Sequence, residues 1–465
     1  MAQKIDMLNG KLFKKIIIFT IPIMLQGLLQ SIYNSADVVI VGQFSGDVAL
    51  SAVGATTSIF NVMVGLFMGF SAGVDVASSH DYGKGDYSSV KKVIDTAVVL
   101  APIMGILVTI MGIFTAGPIL TLMGTPAEDG VLEQATLYLQ ILMLGVPFSM
   151  IFNFCAAILR TAGETNKPFI YLASSGILNV LLNLLFCGAF NLGVVGVSVA
   201  TVISQVVSSI MIFINLLVNK GLFSFSFKKI EFSWKHLGRI SAVGLPSGLQ
   251  SAAFSLSNVF LQTGVNSFGN DAIAGSTAVN TIEGLMWVTL SSFQNATTTF
   301  VSQNVGAKNL ARARKVVIYT ISMTAILGIV LGLGSFLAKD LILAIFIKDN
   351  PMAVQYGYER LAYTFPLYFL AGIMSVMPGA IRGHGYSVSP SIITLTGACG
   401  LRILWVYTVF PIFNTLKMLY LIHPITWVVT NIALFINYFI VLHIQKKKLD
   451  DKPQKPELEL KSTKC

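Results

Sequence analysis

The sequence predicts an all-α membrane protein in which twelve transmembrane helices form two six-helix bundles, related by a pseudo-two-fold axis along the membrane normal. Three observations predict this fold: the composition, a series of long apolar runs and an internal repeat. Of the 465 residues, 54% are hydrophobic and only 11% are charged. This balance excludes an ordinary soluble domain and is typical of a polytopic membrane protein.

Twelve apolar runs follow one another along the chain, and most reach or exceed the about 20 residues that cross the hydrocarbon core. They are residues 16–43, 53–76, 93–123, 135–159, 169–190, 194–218, 240–265, 272–300, 316–337, 361–381, 392–413 and 418–444. The first run has no small-residue cleavage site after it, so we interpret it as an uncleaved span. The runs predict an N-terminal bundle over 1–219, a cytoplasmic linker over 220–239, a C-terminal bundle over 240–444 and a disordered cytoplasmic tail over 445–465.

The two bundles are predicted because the sequence repeats itself. A shift of 224 residues aligns Pro22 with Pro246, Gln26 with Gln250, Asn34 with Asn258 and Asp47 with Asp271, and a shift of 222 aligns Arg160 with Arg382. Agreement at polar and turn residues does not arise from apolar composition alone. Because each half has an even number of spans, both halves enter the membrane in the same sense and enclose a cleft, as alternating access requires.

Charge gives the expected orientation. The net charge is +10, but the basic residues are scattered singly at the ends of spans, which excludes a nucleic-acid-binding surface. Alternating assignment of the loops leaves only Lys339, Lys348 and Lys417 on one side. By the positive-inside rule the opposite side is cytoplasmic, so we expect a multi-pass protein of the cell membrane with both termini inside.

The cysteines suggest neither a metal site nor a disulfide. The four cysteines, Cys155, Cys187, Cys399 and Cys465, are widely separated, so their spacing supports no disulfide or metal site. The linker alternates Phe residues with polar ones, and we expect an amphipathic segment at the membrane interface. The Lys-rich tail should be attracted to anionic membrane lipid.

Asp37 is the one charge inside the first run. A carboxylate facing lipid costs several kcal/mol at roughly the depths that insertion scales describe, so it should point into a watery, protein-lined cavity. Spacing alone leaves a second interpretation open, a helix-end charge in the outer headgroup layer.

Other polar residues inside spans have two interpretations as well. Asn179 and Asn183 share a helix face, and Thr201 in the sixth span could join them, either as a site or as hydrogen-bonding contacts between helices. Glu283 lies close to mid-bilayer, where it serves function or pairs with Arg402. Asp75 is predicted to lie in a cytoplasmic vestibule. His80 is a surface residue or a proton relay.

These residues together resemble the multidrug and toxic compound extrusion (MATE) transporters, in a superfamily that also holds polysaccharide and lipid flippases. The resemblance covers essentially the whole chain. Its motifs, in order, are Pro22…Gln26…Asn34-Ser35-Ala36-Asp37, Ala52-Val53-Gly54, Gly83-Lys84-Gly85-Asp86, Leu159-Arg160-Thr161-Ala162-Gly163, Asn179…Asn183, Gly193-Val194-Val195-Gly196…Ala200-Thr201 and Ser302-Gln303-Asn304-Val305-Gly306.

The resemblance implies a secondary active antiporter that exports amphipathic or cationic organic compounds in exchange for H⁺ or Na⁺. It implies a cation site at Asp37, Asn179, Asn183 and Thr201, and we predict a substrate cavity lined by Gln30, Tyr33, Asn34, Asn153 and Glu283. Many members carry Asp at the position of Asn183. Its absence makes exchange of a single proton the simpler prediction. We expect no cofactor, no bound nucleic acid and a monomer.

Three other functions are weighed against export. One is a non-transporting sensor or scaffold, which dye efflux from cells expressing the protein would distinguish from a transporter. A lipid-linked saccharide flippase gathers cationic residues in its cleft, whereas only Arg402 is predicted firmly inside a span here. An intramembrane enzyme needs a motif such as HExxH or a Ser/His pair, and the chain has neither. The sequence therefore predicts a transporter rather than an enzyme.

Overall fold

The computed structural model describes residues 4–126, 130–347 and 350–450 and is helical throughout, without a strand in these ranges. We number twelve long helical segments in chain order. They are α1 (Leu12–Phe44), α2 (Gly46–Gly83), α3 (Tyr87–Leu122), α4 (Val131–Thr161), α5 (Asn166–Ala189), α6 (Gly193–Val218), α7 (Trp234–Asn266), α8 (Asn270–Gly306), α9 (Leu310–Leu337), α10 (Pro351–Gly383), α11 (Val388–Phe413) and α12 (Leu416–Asp450). A short helix, Lys339–Phe346, follows α9.

Ten of these segments are long and apolar enough to cross a membrane. The other two, α7 and α8, are 33 and 37 residues long and carry more polar residues. Only helices and closed barrels satisfy the backbone inside lipid, which is why twelve apolar runs become twelve helices. The predicted fold class is confirmed.

The turns show the same repeat as the sequence. Each half has a left-handed residue at three matching turns: Gly46 (φ 79°) and Gly269 (87°), Gly85 (77°) and Lys308 (59°), and Gly163 (76°) and Gly385 (88°). The helices that follow the second pair begin with the same kind of cap. Asp86 Oδ1 accepts the Ser89 N–H at 3.1 Å, and Asn309 Oδ1 accepts the Arg312 N–H at 2.9 Å. Such side-chain caps satisfy backbone donors at a helix start.

Some boundaries differ from the prediction. The linker is 219–233, because α7 begins at Trp234 rather than at residue 240. Its Phe223 and Phe225 are buried, packing against Tyr82 and Phe213 respectively. The expected interfacial segment is therefore partly folded into the N-terminal half.

The C-terminal boundary also moves. Helix α12 continues to Asp450, so residues 445–450 are helical instead of belonging to an unstructured tail. The rest of the predicted tail, 451–465, lies outside the described residues and includes Cys465. Lys348, in the loop before α10, lies outside them as well. Both ends of the described chain, the linker and the turns after α2 and α8 lie at the same end of the bundle. We call this end the linker face (residues 4–11, 84–86, 219–233, 307–309 and 445–450).

The two halves pack tightly at the linker face and in the adjoining part of the bundle, where α2 meets α7 and α8. Glycine permits this approach. A Cβ on Gly69 would lie 2.1 Å from the Gly248 nitrogen, and a Cβ on Gly83 would lie 1.9 Å from the Gln303 carbonyl oxygen. In addition, Ile16 and Phe19 at the start of α1 pack into the core of the second half.

Toward the opposite end, the facing helices expose polar side chains at helical spacing. These are Gln30 and Asn34 on α1, Thr57 and Asn61 on α2, and Thr277, Asn280 and Thr281 on α8. Polar faces within spanning helices normally line water rather than lipid. We therefore interpret this end as a water-filled cleft between the halves.

Candidate functional site

The N-terminal half contains one buried carboxylate held by neutral polar groups. Asp37 is 7% exposed and Asn183 is fully buried. Asn183 Nδ2 donates to Asp37 Oδ1 at 2.5 Å, and the Thr201 hydroxyl donates to Asp37 Oδ2 at 3.3 Å. Asn179 completes the cluster, because its Nδ2 donates to Thr201 Oγ1 and its Oδ1 accepts from Asn183, both at 3.3 Å.

Three helices place these side chains together. Asp37 is on α1, about 10 Å from its end at 1.5 Å per residue, while Asn179 and Asn183 are one turn apart on α5 and Thr201 is on α6. Directly after Asn183, α5 forms a π-turn over Leu184–Ala189. Such turns often occur at functional sites. The Asp37 side chain is enclosed by protein, and its depth in the membrane stays a prediction.

Tyr33 fixes α1 against α5 one turn before Asp37. Its ring occupies the space that a side chain at Gly176 would fill, since a Cβ there would lie 1.7 Å from the ring. Its hydroxyl donates to the Ala173 carbonyl at 3.2 Å. Tyr33, predicted to line the substrate cavity, is therefore half-buried in a helix contact and positions the helix that carries Asp37.

The other predicted cavity residues are distributed over both halves. Gln30 and Asn34 are exposed on α1. Asn153 is half-buried on α4, and its amide donates to the Ser149 carbonyl at 2.8 Å. Glu283 is on α8, in the second half. Their role in substrate binding stays a prediction.

Glu283 has a partner that the sequence analysis missed. Arg360 Nη2 donates to Glu283 Oε2 at 2.7 Å, and Arg360 Nη1 donates to the Ser276 hydroxyl at 2.5 Å. The Tyr368 hydroxyl donates to the Glu283 backbone carbonyl at 3.0 Å. The proposed pair of Glu283 with Arg402 is wrong. Arg402 instead donates to Asn258 Oδ1 at 3.0 Å and lies over the Phe254 ring at 5.0 Å.

Arg360 was missed because the apolar run was taken to begin at Leu361, whereas α10 begins at Pro351. The expectation that only Arg402 lies firmly inside a span is also wrong. Arg360 stands nine residues into α10 and is 6% exposed. Arg160 and Arg382 are also buried, but each is the last residue but one of its helix. A hydropathy window stops at charges, so a buried arginine just before an apolar run, such as Arg360, is assigned to a loop.

We expect Arg360→Met to destabilise the protein by about 3 kcal/mol, because breaking a buried ion pair leaves one charge uncompensated. Thermal unfolding in detergent measures the effect. Adding Glu283→Gln to the same chain removes that charge and should recover part of the loss. If the double variant is no more stable than Arg360→Met, the pair does not account for the destabilisation.

Asp75 does not lie in a vestibule. It is 1% exposed, and Arg160 Nε approaches its Oδ2 at 3.5 Å. The Ser79 hydroxyl donates to it at 3.1 Å, and the Thr299 hydroxyl, from the other half, donates at 2.8 Å. The vestibule prediction was wrong because a carboxylate near the end of a span can be satisfied by packing as well as by water.

His80 is a surface residue, with a side chain that is 37% exposed and an Nδ1 that lies 3.5 Å from Asp81 Oδ1. The Asp81 carboxylate accepts hydrogen bonds from both Nη atoms of Arg239, at 2.6 and 2.9 Å. In the ranges that the structure describes, no group of three or more His, Cys, Asp or Glu side chains could hold a metal ion.

A membrane-spanning bundle of two alike halves, with a polar cluster inside one of them, is the architecture of many secondary transporters. Comparison with known proteins agrees. The family model described as MatE matches residues 22–185 and 246–408, one segment in each half. The chain belongs to the MatE family.

Sequence similarity to individual relatives covers more than half of the chain. It is similar to the probable multidrug resistance protein YoeA of Bacillus subtilis (strain 168), with 25% identity over 393 residues, 83% of this chain and 84% of that protein. It is 29% identical to the multidrug export protein MepA of Staphylococcus saprophyticus over 266 residues, 57% of this chain and 58% of that one.

The fold is shared with a solved structure, the outward-facing conformation of a multidrug resistance MATE family transporter of the MOP superfamily. The TM-score is 0.89 at 23% identity, covering 96% of this chain and 99% of that one.

Proposed function

We propose that this protein is a proton-coupled antiporter that exports amphipathic or cationic organic compounds across the cell membrane. The observation that carries this proposal is Asp37, a buried carboxylate whose described hydrogen-bond partners are an amide and a hydroxyl. Such a group can change its charge when its surroundings change. The relatives named for multidrug export supply the substrate class.

A proton suits this cluster because both charge states of Asp37 can be hydrogen-bonded. The ionised carboxylate accepts from Asn183 Nδ2. A protonated carboxyl donates, and an amide offers an acceptor oxygen as well as donors. Asn183 Oδ1 is buried and has no partner among the described atoms. With a single carboxylate in the cluster, tight binding of Na⁺ is the less favourable alternative.

The exchange follows from competition for one negative charge. An organic cation in the cleft is attracted to ionised Asp37, and a proton that binds Asp37 removes that attraction. Neutralisation also removes the cost of keeping a bare carboxylate in a low dielectric when the cleft closes. Either ligand thereby favours one arrangement of the halves.

The positive-inside distribution supports a cytoplasmic linker face, with both termini inside. Because the halves are packed together there, we propose that the described structure is the state that is open to the outside. Each chain has its own pair of halves and its own cleft, so we propose that the monomer is the transporting unit. Basic residues at the linker face would contact anionic lipid.

The test is ethidium transport in proteoliposomes under an imposed gradient. A pH gradient, with the proton supply on the side to which ethidium is exported, should drive its movement across the membrane, and a Na⁺ gradient of the same size should not. Movement driven equally by Na⁺ at constant pH would overturn proton coupling. An absence of ethidium transport under either gradient would overturn the proposed substrate class.

A further inference from the structure

We propose that a lock on the linker face, made of an N-terminal clasp (residues 4–10) and the contact of Asp75 with Thr299, holds this face closed and sets the balance between the two states of the transporter. The proposal rests on alternating access but not on the identity of the coupling ion. It adds a function for residues that belong neither to the Asp37 cluster nor to the predicted cavity.

The clasp is attached to the N-terminal half after α4. The Ile5 N–H donates to the Gly163 carbonyl at 3.2 Å. Gly163 has φ +76°, and a Cβ there would lie 2.4 Å from the Ile5 carbonyl oxygen, so the segment lies directly on a turn that only glycine fits. Lys4 Nζ lies 3.6 Å from Glu164, which is 7% exposed.

A few residues later the same segment is attached to the C-terminal half. The Met7 carbonyl accepts from Asn304 Nδ2 at 3.3 Å and from Arg312 Nε at 3.2 Å. Arg312 Nη2 also donates to the carbonyls of Asn9 and Gly10, at 2.8 and 3.0 Å. The Met7 side chain is 1% exposed and belongs to the core of this half.

The clasp has a turn of its own, centred on Asp6. The Leu8 and Asn9 N–H groups donate to Asp6 Oδ1 at 2.9 and 3.2 Å, closing a turn within the clasp. Partial burial opposes ionisation of Asp6, but these backbone hydrogen bonds and the Asn9 side chain outweigh it, and its pKa lies below the ordinary value. These hydrogen bonds favour the ionised carboxylate, and Lys15 Nζ donates to the Asp6 backbone carbonyl at 2.6 Å.

The second part of the lock lies deeper, where α2 meets α8. Asp75 is on α2, where the Ser79 hydroxyl donates to its carboxylate at 3.1 Å and Arg160 Nε lies 3.5 Å from it. The Thr299 hydroxyl, on α8 in the other half, donates to the same carboxylate at 2.8 Å. This hydrogen bond joins the two halves directly.

This arrangement suits a contact that is made and broken. Because Arg160 and Ser79 remain with Asp75, separation of the halves breaks one hydrogen bond without leaving an isolated charge. The clasp likewise contributes hydrogen bonds from the charged Arg312 only while both halves are close. Contacts present in one state and absent from the other shift the population between them.

Distances across the linker face test the lock. Spin labels at Lys84 and Lys308, both exposed at this face, are placed in the full chain with its native cysteines replaced by alanine, and the protein is reconstituted without substrate or gradient. We compare Thr299→Val with Thr299→Ser, and Arg312→Gln with the exposed neighbour Arg314→Gln.

A hydrogen bond to a charged group is worth enough to change an equilibrium constant about tenfold or more. We therefore expect the long-distance population to rise about tenfold in Thr299→Val and in Arg312→Gln, and to stay near the unsubstituted value in both controls. The lock is overturned if either variant matches its control. Because the measurement involves neither proton nor organic cation, its result is independent of the proposed function.

Discussion

Asp37→Asn abolishes proton-driven export while the protein still folds. Asparagine has nearly the same shape as aspartate: its oxygen can still accept from Asn183, and its NH2 group can donate to the Thr201 hydroxyl. It cannot take up or release a proton. The exchange that we propose requires this change of charge, so ethidium efflux from proteoliposomes under a pH gradient should fall to the level of protein-free vesicles.

Asp47→Asn is the matched control for this variant. Asp47 stands ten residues further along the chain, at the exposed start of α2, and its neutralisation should leave efflux unchanged. Folding of both variants is checked by their elution in detergent and by thermal unfolding. Export by Asp37→Asn at the unsubstituted rate would eliminate Asp37 as the exchanging group.

Gly69→Val should also stop transport, by a different route. A Cβ at Gly69 would lie 2.1 Å from the Gly248 nitrogen and 2.3 Å from its Cα, and backbone atoms cannot move aside as a flexible side chain can. Since Gly69 and Gly248 belong to different halves, the clash opposes packing of the halves rather than folding of either one. We expect a protein that cannot close the linker face and exports no ethidium.

Gly54→Val provides the comparison for the glycine variant. Gly54 is on the same helix, where a Cβ meets no atom within 4 Å, so both variants introduce the same β-branched residue into α2 and carry the same helix-propensity cost. Efflux should be preserved in Gly54→Val. Equal loss in both variants would attribute the effect to the helix and contradict the account of the interface.

Much of the fold is predictable because lipid leaves the chain few choices. Twelve apolar runs must become helices, and the repeat at Pro22 and Pro246 requires two alike halves. The sites are less accessible to sequence reasoning. Asn179 and Asn183 share a helix face by spacing, and Thr201 could join them, but only the chain's resemblance to a known family associated them with Asp37. The structure brings these four side chains together.

The contacts that the sequence analysis missed are pairings between segments distant in the chain. Nothing local assigns Arg360 to Glu283, because the two lie on different helices and Arg360 precedes the apolar run. Asp75 was misplaced for a similar reason, since its partners Arg160 and Thr299 are 85 and 224 residues away.

Proton release on binding of an organic cation tests the central claim most directly. Tetraphenylphosphonium has no titratable proton, so any proton that appears in weakly buffered detergent solution comes from the protein. The account predicts release of up to one proton per molecule at near-neutral pH, and none from Asp37→Asn. Equal release from Asp37→Asn, or cation binding with no release by the unsubstituted protein, would contradict competition at Asp37.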